Sequence, residues 1–166
     1  SYIHDTYSTS DGYGVATTAS SNSLYGRGGC TGTLIENNVI SGLRRAIMLE
    51  SETGSVISHN YSFNIRFTGW PDYVQPDFNA NHAAHGMMTL WEGNVAVGWE
   101  NDGYHGSTSH QTLFRNWFHG RHVEPNRTGD IKTVDLTRFS YYHNVVGNVL
   151  GSPDFPRLTI GQYEMT

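Results

Sequence analysis

Cysteine is almost missing from this chain. Cys30 stands alone among 166 residues, so no intramolecular disulfide can hold the fold and no cystine framework reveals a compartment. Lysine is as scarce: Lys132 is the single one among ten basic residues, only 15% of residues are charged, and the formal charge is −5. That balance offers no basic face to a nucleic acid. No apolar run reaches the ~18 residues that suggest a membrane-spanning helix. The opening SYIHDTYS has no initiator Met and no signal-peptide pattern, so the chain reads as a mature or cut product, a fragment of a longer one.

What is present points to strands and turns. Glycine is high at 19 and asparagine at 13, while hydrophobic content is 37% and aromatic content 13%. Gly and Asn are poor helix formers and good turn formers. The apolar fraction is enough for a packed core, and the length suits a single domain spanning 1–166.

A phrase recurs along the chain. GTLIENNVI (32–40), GSVISHNYS (54–62), MTLWEGNVA (88–96), QTLFRNWFH (111–119) and FSYYHNVVG (139–147) each place a short apolar run before an asparagine, at 38, 60, 94, 116 and 144. A unit of ~22 residues fits, with two insertions, and a coil of three short strands and three turns has about that length. FTGWPDYVQPDFNANHAAHG (67–86) and RHVEPNRTGDIK (121–132) supply the insertions, because proline, glycine and charge break their alternation. A leucine-rich skeleton is absent, and helical repeats need ~33 residues or more. The expected fold is all-β: a right-handed parallel β-helix, a solenoid of about six to seven rungs with loops near 67–86 and 121–132. Asparagines in equivalent turns would stack as a ladder of side-chain amides.

IENNVISG, ISHNYS, LWEGNV, TLFRNWF and YYHNVVGNVLG resemble right-handed parallel β-helix proteins of the pectate-lyase-like superfamily, over roughly residues 24–151. HG followed by LWEGN, HGSTSHQTLFRN and NVVGNVLG looks like a bacterial, secreted group of that superfamily with no settled activity. The superfamily includes polysaccharide lyases, polygalacturonase-type hydrolases, pectin esterases, tailspikes and adhesins, so fold alone does not fix function. The resemblance implies a polysaccharide partner, an extracellular or cell-surface location, and calcium where a cofactor is used; the residues themselves indicate no cofactor. Departures from the family patterns are plain. The Arg-x-Pro-x-x-Arg of pectate lyases is missing, none of the four hydrolase motifs is intact, and Lys132 is the only candidate for a lysine base.

Histidine carries the chemistry in this sequence. Nine are present, six of them between His82 and His122. Imidazole serves acid–base work near neutral pH or ligates metals. The expected catalytic set is His85 or His105 as base, Asp102 orienting His105, Tyr104 protonating the leaving oxygen, and Arg115 or Arg121 neutralising a uronate carboxylate. Trp70, Tyr73, Trp99, Arg44 and Arg45 are expected to bind substrate, since flat rings stack on sugars. No HxH or HExxH spacing marks zinc, and the metal stays unknown. The leading expectation is a lyase-type enzyme acting on an acidic polysaccharide. Its rivals are a non-catalytic carbohydrate-binding or adhesion module, and a structural segment of a spike or filament stacked end to end, with a partner or an N-terminal cap covering the open rung.

Overall fold

A computed structural model describes residues 1–5, 12–17, 29–67, 69, 73–83, 85–122, 127 and 129–153. Among them lie nineteen short strands and no helix, as the Gly- and Asn-rich composition predicts. Among the described residues no helix is long and apolar enough to cross a membrane. Every strand pair is parallel.

The chain visits four sheets in a fixed order. The first holds Leu34–Glu36, Val56–Ser58, Leu90–Glu92, Thr112–Phe114 and Asn144–Val146. The second holds Tyr2–His4, Val39–Ser41, Tyr61–Phe63, Val95–Ala96, Trp117–Phe118 and Val149–Leu150. The third holds Tyr13–Thr17, Arg45–Leu49, Phe78–Asn79, Trp99–Glu100 and Val134–Asp135. The fourth is short: Gly86–Met87, Thr108–Ser109 and Ser140–Tyr141, prolonged by single bridges through Thr53 to Thr31. Neighbours within each sheet come from successive passes of the chain.

The period-2 alternation of each short strand turns one row of side chains inward. Ile35, Ile57, Trp91 and Leu113 face one another in register across the first sheet, and Ile47, Phe78 and Trp99 across the third. All seven are buried. Aromatic contacts join the rows: Phe78 stacks on Trp91 at 5.7 Å between ring centres, and Trp91 meets Trp99 edge-on at 6.1 Å.

Between the first and second sheets, each pass turns through a left-handed residue followed by an asparagine. The left-handed positions are Asn37, His59, Gly93, Arg115 and Gly147. The asparagines that follow are 38, 60, 94, 116 and 148. Each amide donates to the next asparagine's Oδ1, at 3.0, 3.0, 2.9 and 2.9 Å. From Asn60 onward each also donates to a backbone carbonyl of the preceding pass. The expected ladder is present, with one correction. Its last member is Asn148, not Asn144, which pairs with Thr112 inside the first sheet. Gly147-Asn148 repeats the Gly93-Asn94 turn, and a left-handed residue before the asparagine, not the apolar run alone, sets the register.

Both expected excursions leave between the second and third sheets. The first spans 64–77 and is shorter than the 67–86 expected. Phe78–Asn79 rejoins the third sheet, paired with Ile47–Met48 and Trp99–Glu100. Pro76 permits this because it lies just before the strand, where no ladder N–H is required. The second excursion lies between Phe118 and Val134. The two excursions meet each other through a parallel bridge between Tyr73 and Gly129, where the Val74 N–H bonds the Gly129 carbonyl at 3.1 Å.

Candidate functional site

Side chains on the outward side of the third sheet, the two excursions and the turn after Trp99–Glu100 together enclose a cleft of about 680 Å³. Arg45 and Glu100 lie at its base as an ion pair of 2.5 Å, about nine-tenths buried on each side. Glu100 also accepts from the Asn79 amide at 3.0 Å, and Arg45 donates to the Pro76 carbonyl at 3.3 Å. Arg44 lies over the Phe67 ring at 4.7 Å. Lys132 sits between Asp130 and Asp135, at 3.4 and 3.1 Å. Burial alone would lower the lysine's affinity for its proton, and the two carboxylates outweigh it, so its pKa is raised. Tyr73 lines the same cleft, and its burial, reinforced by Glu100, raises the phenol well above its ordinary range. It is a hydroxyl donor there, not a base.

The opposite wall carries the histidines. After the third sheet the chain makes the turn 101–107. Asp102 accepts the backbone N–H groups of Tyr104 and His105 on Oδ1, at 2.8 and 2.9 Å. Its other oxygen, Oδ2, accepts from His105 Nδ1 at 2.6 Å and from His82 Nδ1 at 2.8 Å. The two imidazole centres are 4.2 Å apart. Burial pushes the Asp102 carboxyl up, but the bonds from His82, His105 and Tyr104 together outweigh that and hold it well below the usual carboxylate range. A carboxylate that bonds both Nδ1–H groups fixes both tautomers and leaves each Nε2 as an acceptor. His82, Asp102, Tyr104 and His105 all line the cleft.

The structure brings part of the expected set together. Asp102, His105, Tyr104, Tyr73, Arg44 and Arg45 share one cleft. His85 does not join them. Both of its ring nitrogens bond serine hydroxyls, Ser107 at 2.8 Å and Ser109 at 2.7 Å, beside the fourth sheet. Arg115 pairs with Glu92 at 2.7 Å in a turn after the first sheet. Arg121 lines a separate cavity of about 340 Å³ with Trp117 and His119. Neither arginine lines the cleft, whose cations among the described residues are Arg44, Arg45, Lys132 and Arg138. Trp99 is fully buried, since it occupies the inward row of its strand, and no substrate can touch it. Trp70 lies outside the described residues.

His82, Glu100 and Arg138 escaped selection. His82 was findable: it precedes Asp102 by 20 residues, near one repeat unit, so the next pass sets the two side by side. Two nitrogens and one oxygen, from His82, His105 and Asp102, lie within 4.8 Å of one another. Calcium, which the resemblance implies, does not fit this cleft. It takes six to eight oxygen ligands, while Glu100, Asp130 and Asp135 are engaged by Arg45 and Lys132. Comparisons with protein families, curated proteins and solved structures gave no match.

Proposed function

We propose that the chain is a right-handed parallel β-helix of the pectate-lyase-like kind, secreted or surface-borne, that cleaves an acidic polysaccharide by β-elimination in this cleft. Parallel pairing in all four sheets, with each pass adding its strand beside the previous one, supports the fold. The asparagine ladder supports it too. Parallel crossovers are right-handed in nearly all proteins.

One observation carries the activity: Asp102 holds His105 by Nδ1 at the mouth of a cleft that also contains arginines and a lysine. In this reading the His105 Nε2 takes the proton beside the uronate carboxylate. Arg44 or Arg138, rather than Arg115 or Arg121, offsets the carboxylate charge and stabilises the enolate-like transition state. Tyr104, exposed next to His105 with the rings edge-on at 4.7 Å, returns a proton to the leaving oxygen. The breaking C–O bond leaves an unsaturated uronate end. Incubation with a panel of uronic-acid polysaccharides, followed by the ultraviolet absorbance of that new double bond, tests the reading. The expected result is product formation that falls ~10²-fold in His105→Ala, the scale of lost general-base catalysis. No absorbance on any uronate polymer removes it.

A second reading has its own support. On the outer side of the second sheet, Tyr2, Val39, Tyr61, Val95, Trp117 and Val149 run in register across six strands. Tyr61 and Trp117 are 47% and 41% exposed, open enough to stack on sugar rings. This row suits a carbohydrate-binding module that performs no chemistry. Trp117→Ala weakening polysaccharide retention, in a protein without lyase activity, would favour it.

A further inference from the structure

We infer that His82, Asp102 and His105 form a binding site for a zinc-class divalent transition-metal ion. The inference rests on the donors themselves and stands apart from the polysaccharide reading, although it concerns the same cluster.

Three facts converge. First, the donor set is two imidazoles and one carboxylate, a combination that suits borderline transition ions and not calcium or magnesium. Second, the donors are already assembled. Both Nδ1 atoms contact one oxygen, Asp102 Oδ2, at 2.8 and 2.6 Å. Donors around a tetrahedral zinc stand ~3.3 Å apart, given Zn–N and Zn–O distances of ~2.0–2.2 Å. The contacts therefore need to open by roughly half an ångström, and His105, half exposed on its turn, can supply that movement. Third, the carboxylate is oriented from behind. Its Oδ1 is fixed by the N–H groups of Tyr104 and His105, the kind of outer support that metal-ligating carboxylates carry.

Occupation has a chemical consequence. An ion on both Nδ1 atoms moves each ring's proton to Nε2, with no net change in protonation. The His105 Nε2 then donates where it previously accepted, so it can no longer take a proton from a substrate. The cluster holds either an acid–base pair or a metal. Its remaining coordination positions face the cleft, open to water or a substrate oxygen. On the polysaccharide reading, zinc is thus an inhibitor.

Equilibrium dialysis of the intact chain against zinc chloride, cobalt chloride and calcium chloride tests the site without any substrate. The expected result is one zinc per chain, visible absorption bands from imidazole-ligated cobalt, and no calcium bound at this cluster. His105→Ala and His82→Ala each weaken zinc at least ~10-fold, a ligand loss being no milder than an outer-shell one. His59→Asn, at an exposed turn on another corner, leaves binding unchanged. Far-ultraviolet circular dichroism checks folding, and His105→Ala carries the test if His82→Ala unfolds. Less than one zinc per chain, or undiminished binding in His105→Ala, overturns the site. The two proposals fail separately. Zinc bound by a chain with no lyase activity keeps the site and removes the enzyme reading; uronate cleavage by a chain that binds no zinc does the reverse.

Discussion

The Asn60 side-chain amide donates to Asn94 Oδ1 at 3.0 Å across 34 residues of sequence, and that same oxygen accepts the Asn60 backbone N–H at 2.9 Å. Asn94 in turn donates to the Ile57 carbonyl and to Asn116. Both asparagines are almost wholly buried, so each bond replaces water that cannot enter. Asn60 begins an Asn-Tyr-Ser triplet, and its place in the ladder leaves no room for a glycan.

Asn94→Leu is expected to destabilise the chain by about 3 kcal/mol, since stranding a buried polar group costs ~1–3 kcal/mol and more than one is stranded. Asn144→Ala, at an exposed strand position outside the ladder, is expected to stay within ~0.5 kcal/mol. Urea denaturation of the two variants checks both. Equal losses would mean that Asn144, not Asn148, ends the ladder.

Arg45→Met leaves Glu100 buried without its cation, the Asn79 amide remaining as a donor. Removing one partner of a buried ion pair costs ~3–5 kcal/mol. Arg45→Met with Glu100→Gln is expected to recover much of this, because the uncompensated charge goes too. Thermal melts of single and double variants measure the recovery, and a double variant as unstable as the single would contradict it.

Asp77 is fully buried, and that burial raises its carboxyl to about 6. Gly98 N–H bonds its Oδ1 at 3.0 Å. Between its ordinary pKa and the raised one, the folded chain binds more protons than the unfolded chain. Stability from this group is therefore fully present below ~pH 4 and lost as pH rises through about 6. The loss is about 3 kcal/mol at ~1.4 kcal/mol per pKa unit. Asp77→Asn stays neutral throughout, so its melting temperature should gain on the wild type between pH 4 and pH 7. His119 and His143, both lowered to about 4 chiefly by burial, act in the opposite sense. The difference between variant and wild type is therefore the readout, and a difference that does not change with pH would refute the assignment.

Asp102→Asn keeps a side-chain oxygen for the backbone N–H groups but loses the charge that faces both imidazoles. On the polysaccharide reading, kcat should drop ~10-fold or more with KM nearly unchanged, because the carboxylate positions the base and does not hold the sugar. A rise in KM alone would place Asp102 in substrate binding instead.

The fold was readable wherever burial forces a residue type. Apolar runs ending in asparagine recur because an inward row and a buried amide allow few alternatives. The last copy slipped because Asn144 and Asn148 both follow apolar residues, and only the backbone shows which one sits behind a left-handed residue. Asp102 and His105 were readable as near neighbours within one turn. His82 required the repeat period to be applied across passes. Arg115 and Trp99 were not placeable from the sequence, since a shift of one residue exchanges inside and outside along a strand. The rings of Trp99 and Tyr73 look alike on paper, yet one fills the core and the other faces the cleft.

The two excursions that bracket the cleft spring from the third and fifth passes, and the fourth crosses the same corner directly, from Val95–Ala96 to Trp99–Glu100. The spacing of their roots on the third sheet is therefore counted in whole strands, and the Tyr73–Gly129 bridge spans it. Duplicating or deleting one plain pass would move one loop relative to the other by a single step of ~4.8 Å, while leaving both loop sequences intact. Cleft width in such a scaffold is a digital quantity, adjustable by copying a segment rather than by redesigning a surface.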